Sequence, residues 1–226
     1  MTDAAGLKRA VCSTCLRAKS ACICRWITPV QAQAHLLILQ HPLEVANAKN
    51  SARLLHLCVT GSVLATGEAF DAGVLDGLLH AEERTPVLLY PATPGDAGLP
   101  VPPPMPALPA EAVRLVLLDA TWRKSRKMLY LNPALQRLPR LGLTEVAPSN
   151  YRIRKAHAPH QLSSLEAAAQ ALGQLEGAPG RFSPLLDAFD GFVAQQAAYV
   201  RACAARSLAG DASQFDEQDV NRLVGR

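Results

Sequence analysis

An acid, a hydroxyl and an indole stand together in the run Asp119-Ala120-Thr121-Trp122, directly after the apolar stretch Leu115 to Leu118. A short apolar run of this kind reads as a buried parallel strand, and the residues after it read as a helix from Trp122 to Leu131. The three polar groups then sit at the carboxyl end of a strand, where open α/β sheets bind ligands. Two readings of Asp119 stand side by side. It caps the helix that follows, or it is a general base or hydrogen-bond acceptor beside a basic surface. Trp122 likewise reads either as core or as a stacking surface for a base or a cation. Arg123, Lys124, Arg126 and Lys127 follow at once, so the ligand or its partner is expected to be anionic.

A second group able to do chemistry is Cys12, Cys15, Cys22 and Cys24, four of the six cysteines of the chain. Thiolates this close can close a tetrahedral site, the usual geometry of structural zinc. The first pair has the common knuckle spacing, and the second pair is tighter. Arg9, Arg17, Lys19 and Arg25 would offset the negative charge of a four-thiolate site. A redox dithiol and free thiols are the other readings. Such a site would hold a small lobe with too little apolar sequence to fold unaided. Cys58 and Cys203 lie in helical or apolar contexts and read as core.

Two further places carry polar groups at element ends. His41 and Glu44 flank Pro42 and Leu43 and could pair at a helix start, although simple helix initiation at Pro42 accounts for the pattern too. Ser149 and Asn150 are turn-prone, and Arg152, Arg154 and Lys155 follow them, a phosphate-binding pattern with no base-specific content. His157 and His160 have no acid or cysteine partner nearby in sequence and are not assigned as metal ligands.

These groups must be positioned by elements the sequence also marks. Strands are expected at His35 to Leu39, Ser62 to Ala65, Val87 to Tyr90, Arg114 to Leu118 and Leu143 to Val146. One helix is expected from Leu43 to Leu57, with Val45, Ala48, Ala52 and Leu55 on one face and Lys49, Arg53 and His56 on another. Ser163 and Glu166 have capping-box spacing and open an Ala-rich helix to about Leu175. Ser183 and Pro184 open a long last helix with Leu186, Phe189, Val193, Val200 and Ala204 as its buried stripe. Residues 91–109 hold eight prolines and read as an extended linker. Strands alternating with helices predict a mainly parallel α/β sheet. The domains expected are a Cys-rich lobe at 1–30, an α/β domain at 31–210 and a polar tail at 211–226.

The chain has 226 residues, 49% of them hydrophobic, enough for one full core. No apolar run long enough to span a membrane is present. The first residues lack the apolar segment of a secretory signal, which leads to the expectation of a cytoplasmic protein. The net charge of +4 is modest but segregated. Nine Lys/Arg fall between Arg123 and Lys155 against Glu145 alone, and five fall in the first 25 residues against Asp3 alone. Two basic regions in a balanced chain read as a nucleic-acid footprint, or else as a solvated, arginine-rich surface. Gly-rich dinucleotide and Walker fingerprints are lacking, as is a Gly-x-Ser-x-Gly elbow, which disfavours nucleotide hydrolysis, NAD-linked redox chemistry and serine esterase activity.

The ordered set goes further than its parts. The cysteine cluster, then Gln40-His41-Pro42 with Glu44, then Leu88-Leu89-Tyr90-Pro91, then Asp119 with Thr121 and Trp122, then Tyr151 with Arg154, then Leu162-Ser163-Ser164-Leu165-Glu166-Ala167 resembles the DTW-domain family. The matches run from about residue 9 to 175. The resemblance implies an α/β sheet with a C-terminal trefoil knot, as in the SPOUT superfamily, beside the cysteine lobe. It implies transfer of the 3-amino-3-carboxypropyl group of S-adenosylmethionine to N3 of a tRNA uridine, with methylthioadenosine released.

On that resemblance, roles can be written for these residues. Leu118 and the loop Leu162, Ser163, Ser164 and Leu165 would bury the adenine. Tyr90, Pro91, Thr121 and Trp122 would wall the pocket. Backbone N–H groups at Ser163 and Ser164 would hold the donor's carboxylate. Asp119 would accept the N3 proton. Lys49, Arg53, Arg123, Lys124, Arg126, Arg152, Arg154, Lys155 and the zinc lobe would hold tRNA phosphates. The target uridine should lie in a loop or be flipped out. RNA methyl transfer, transfer to ribosomal RNA and a zinc-containing RNA-binding module are the rival readings. The long final helix could cover the surface through which many SPOUT-type enzymes pair, which favours a monomer.

Overall fold

Four short apolar runs and a two-residue strand pair side by side in the computed structural model, which describes residues 10–91, 98–143 and 162–212, with side chains to residue 201. The strands are β1 (His35–Gln40), β2 (Val63–Thr66), β3 (Thr85–Leu89), β4 (Val113–Asp119) and β5 (Arg140–Leu141). They form one all-parallel sheet in the order β2-β1-β4-β3-β5. Every residue of β4 is buried, as a central parallel strand requires when both faces are covered.

The two-residue side-chain period divides the core into two layers. Leu36, Ile38, Leu115 and Leu117 face one layer, with α2 (Ala52–Cys58), α6 (Ser164–Leu175) and α7 (Ser183–Ala212). Leu37, Leu39, Val116 and Leu118 face the other, with α3 (Ala72–Leu79), α4 (Trp122–Leu131) and α5 (Pro133–Gln136). The chain leaves β1 through α1 (Pro42–Val45) towards α2, and leaves β4 towards α4 on the opposite face. Neighbouring strands whose helices diverge open a crevice at their carboxyl ends. Gln40 and Asp119 are register partners at that crevice.

The expected single helix from Leu43 to Leu57 is two helices, α1 and α2, and the reason lies in two asparagines. Asn47 Oδ1 accepts from Lys49 N–H at 3.0 Å, and Asn50 Oδ1 accepts from Ala52 N–H at 3.0 Å. Local side-chain bonds of this kind compete with helical ones. Lys49, Arg53 and His56 therefore do not share one helical face, and Val45 is exposed while Ala52 and Leu55 are buried. The fifth strand is Arg140–Leu141, ahead of the expected Leu143 to Val146; Leu143 is not in a strand, and residues 144–146 lie outside the described residues. Helix α3 was not expected. Asp71 opens it by accepting from Gly73 and Val74 N–H, a cap that Gly73 and Gly77 obscure in the sequence. The knot expected from the resemblance, the Arg152–Lys155 segment and the tail beyond Ala212 involve residues outside those described. No described helix is long and apolar enough to cross a membrane.

Helix α7 buries Leu185, Ala188, Phe189 and Phe192, whereas Leu186 and Val200 of the expected stripe are exposed. Its contact with the cysteine lobe turns the helix. Gly191 lies against the Trp26 ring so closely that any Cβ would overlap it. Trp26 Nε1–H donates to Gln195 Oε1 at 2.6 Å, and Gln195 Nε2–H donates to Cys22 O at 3.0 Å. Gly191→Ala is expected to cost about 1–3 kcal/mol by overpacking. That corresponds to a fall in Tm of roughly 2–12 °C for a chain of this size. A thermal melt with an unchanged midpoint would show that the lobe does not dock through this contact.

Candidate active site

Asp119 is 3% exposed and receives three hydrogen bonds. Gln40 Nε2–H donates to Oδ2 at 2.9 Å, Asn50 Nδ2–H donates to Oδ2 at 2.6 Å, and Ser164 Oγ–H donates to Oδ1 at 2.6 Å. These donors come from the end of β1, the α1–α2 loop and the first turn of α6. Asn50 Oδ1 also accepts from Gln40 Nε2–H at 3.2 Å, which closes a buried triangle. The carboxylate is thus tied to three segments and does not cap α4. The N-cap position of α4 belongs to Thr121, whose hydroxyl makes no capping bond.

The sequence pairing of His41 with Glu44 is replaced by two separate pairs. His41 Nδ1 accepts from Leu43 N–H at 3.1 Å, so the ring proton is assigned to Nε2, which faces Glu68 Oε1 at 3.0 Å. Glu68 also accepts from Lys127 Nζ–H at 2.9 Å. The Lys127 bond, then the His41 bond, hold its carboxyl below the usual carboxylate range. Glu44 is buried and receives Lys124 Nζ–H at 3.0 Å and Asn47 Nδ2–H at 2.9 Å. Asn132 closes the far side by donating to Glu68 O at 2.9 Å and accepting from Phe70 N–H at 2.9 Å.

Trp122 is 54% exposed, so it is not core. Its ring meets buried Tyr90 edge-on at 5.9 Å between centroids. Pro91 is exposed beside them, and Arg140 lies over the other ring at 5.4 Å from the Tyr90 centroid. Leu118 packs in the layer of α3 and α4, but Leu165 is fully buried in the opposite layer. Leu162 is half-buried. Ser163 and Glu166 form the expected capping box, with Ser163 N–H donating to Glu166 Oε2 at 2.8 Å and Glu166 N–H to Ser163 Oγ at 3.2 Å. The Ser163 N–H is engaged, so the amides that this box leaves over in the first turn are those of Ser164 and Leu165.

Residues 9–197 match the family model of the DTW domain. The chain belongs to the DTW-domain family. It is similar to proteins named tRNA-uridine aminocarboxypropyltransferase 2 from three animals. It is 31% identical to that of Drosophila melanogaster over 187 residues, covering 76% of this chain and 69% of the fly protein. It is 29% identical to that of Mus musculus over 175 residues, covering 75% of this chain and 57% of the mouse protein. It is 27% identical to that of Macaca fascicularis over 182 residues, with the same two coverages of 75% and 57%. The chain thus spans little more than half the length of the mouse and macaque relatives. No solved structure matches it.

In this DTW domain the basic residues are differently employed. Arg123 and Arg126 are exposed on α4, the latter lying 5.9 Å from the Tyr130 ring centroid. Lys49 is exposed on the α1–α2 loop. Lys124 is engaged by buried Glu44, and Arg53 donates to Thr14 O at 2.8 Å. Sequence reasoning missed Asn50, Glu68 and Asn132, which are single polar residues outside any motif. Gln40 was visible only as part of the Gln40-His41-Pro42 run.

The four N-terminal cysteines converge. Their Sγ atoms all lie within 4.8 Å of one another, with Cys12 to Cys24 at 3.6 Å and Cys15 to Cys22 at 3.7 Å. A tetrahedron with zinc–sulfur bonds of about 2.3 Å has edges of about 3.8 Å, so the cluster fits a tetrahedral thiolate-bound ion. Backbone N–H groups of Cys15 and Thr14 pull the Cys12 thiol down to about 6. Burial and the neighbouring thiols push Cys24 up to about 12. Four thiols at this distance ionise together only around a cation. Cys12→Ser is expected to strip most of the bound metal from the purified protein and to lower its Tm. Full metal content in that variant, measured by elemental analysis, would exclude Cys12 as a ligand.

Proposed function

We propose that this chain transfers the 3-amino-3-carboxypropyl group of S-adenosylmethionine to N3 of a uridine in tRNA, releasing methylthioadenosine. The observation that supports the reading is a buried carboxylate hub at the sheet's crevice, beside a basic helix, in a chain similar to proteins named for aminocarboxypropyl transfer to tRNA uridine. Within this reading the cysteine lobe to residue 30 holds zinc and flanks a transfer domain of SPOUT type at 31–210. The remaining residues, 211–226, form a tail, and the protein acts as a monomer on tRNA.

The donor, when bound, supplies a sulfonium-activated methylene carbon, and the new N3–C bond forms there as the C–S bond breaks. The protein's residues suit such a donor in two ways. The half-buried Ser164 at the start of α6 offers its N–H group to the donor's carboxylate. The exposed Trp122 ring, braced edge-on against Tyr90, offers an electron-rich face to the cationic sulfur. Orientation against these groups selects which carbon reacts.

Asp119 receives the N3 proton in this reading, and Ser164 carries it. The Ser164 hydroxyl already gives its proton to Oδ1 and is half-buried, with its oxygen lone pairs turned away from that bond. As Ser164 Oγ takes the N3 proton, its own passes to Asp119. Gln40 and Asn50 hold the second oxygen and keep the carboxylate aimed. Lys49, Arg123, Arg126, Arg152, Arg154 and Lys155 hold phosphates, and Lys124 and Arg53 support the same surface from their protein partners. Binding should weaken steeply with salt.

The test incubates the purified protein with unmodified tRNA and S-adenosylmethionine and analyses the digested nucleosides by mass spectrometry. A uridine heavier by an aminocarboxypropyl group, with methylthioadenosine released, is expected. A methylated nucleoside or an unchanged profile would overturn the reading. Asp119→Asn should lower the single-turnover rate by about 10²-fold or more, the range for loss of a general base. Its tRNA affinity should stay within a few-fold, and wild-type turnover would remove Asp119 from the proton path.

A further inference from the structure

The turn that carries Cys12 and Cys15 also fixes Arg17. Cys12 N–H donates to Arg17 O at 2.8 Å, and Leu16 N–H donates to Cys12 O at 2.9 Å. Leu16 takes a left-handed φ of 58° to close the turn. From there the Arg17 guanidinium reaches out of the lobe. Nη1–H donates to Ala48 O at 2.6 Å and Nη2–H donates to Asn50 O at 2.8 Å. Its charge lies 5.1 Å from the centroid of the Phe192 ring on α7. Asn50, held by its backbone, gives its side-chain N–H to Asp119 and accepts the Ala52 N–H. A continuous line of bonds thus runs from the cysteine turn through Arg17 and Asn50 to the carboxylate hub.

We propose that Arg17 is a positioning residue that couples the cysteine cluster to the active site, so that a metal held by the cysteines sets the geometry around Asp119. The α1–α2 loop is tied to the cysteine lobe by the two Arg17 bonds. It lies between two short helices; the Asn47 side chain bonds Glu44 and Lys49 close by in sequence, whereas that of Asn50 reaches Gln40 and Asp119. The fork of a guanidinium on two carbonyls fixes such a loop in a way that one ammonium does not. Loosening it leaves Asn50 free to swing, and Asp119 then loses one of its three donors. The metal lobe is therefore part of how the site is built, beyond any grip on RNA.

The experiment uses the full-length, zinc-loaded protein as wild type, Arg17→Lys and Arg17→Ala. Bound zinc should be unchanged in all three. Amide exchange at Ala52 should quicken about tenfold in both variants, the factor for losing one hydrogen bond from a charged group. Stripping the zinc with a chelator should quicken the same amide in the wild type. Unchanged protection of Ala52 in the variants or in the stripped protein would overturn the proposal. The rate arm rests on the transfer reading given above. Both variants should lose about 10–100-fold in single-turnover rate, with tRNA affinity within a few-fold. Recovery of the rate by Lys, with weakened tRNA binding in Ala, would make Arg17 an RNA contact instead. A wild-type protein that transfers nothing would sink only the transfer reading, because the exchange arm decides the coupling by itself. Should Arg17→Ala fail to fold, Arg17→Lys carries both arms.

Discussion

A carboxylate placed inside a protein must be hydrogen-bonded or it destabilises the fold by several kcal/mol. Asp119 meets that demand with neutral donors from three separate stretches of chain, and the rest of the site follows from it. Gln40 comes from the neighbouring strand, Asn50 from a loop and Ser164 from a helix that returns late in the sequence. Because each donor leaves water to serve this acceptor, the end of β1, the α1–α2 loop and the start of α6 must converge there. The candidate site is the place where the fold satisfies its own buried carboxyl group.

The sheet makes this convergence possible. Gln40 and Asp119 are neighbours because β1 and β4 pair in register, and the crevice opens because the chain leaves those strands on opposite faces. Around the hub, two acid–cation pairs, Glu44 with Lys124 and Glu68 with Lys127, tie α4 to the segments after β1 and β2. Helix α4 thereby keeps Arg123 and Arg126 outward while its lysines serve the fold. One basic helix thus supplies both the anchoring and an exposed pair of arginines. On the other face, Gly191 and Trp26 seat the cysteine lobe on α7.

Much of this was legible in the sequence, for identifiable reasons. Uniform apolar runs announced four of the strands, and Ser163 with Glu166 announced α6 with its cap. The cysteine spacing announced the cluster that the structure closes, and the family motifs carried the order of the site. What was hidden depends on groups that only tertiary contact defines. The break between α1 and α2 turns on Asn47 and Asn50 bonding locally. The burial of α7 turns on a glycine meeting a tryptophan more than 160 residues away. Glu44 and Lys124 pair across 80 positions, and nothing in sequence distinguishes Lys124 from its exposed neighbours. That Leu118 and Leu165 belong to opposite layers of the core is likewise set by the tertiary fold and not by their apolar character.

The account turns on Asp119 acting as one shared acceptor, and a double-mutant cycle reads that directly. Asn50→Ala and Ser164→Ala are compared singly and together by urea unfolding, first in the wild-type protein and then in an Asp119→Asn background. A coupling energy of roughly 0.5–3 kcal/mol in the wild type, as for residues in one network, and its collapse in the Asp119→Asn background are predicted. Additivity in the wild type within about 0.3–0.5 kcal/mol, as for independent sites, would mean that the two side chains stabilise the protein separately and that no hub exists.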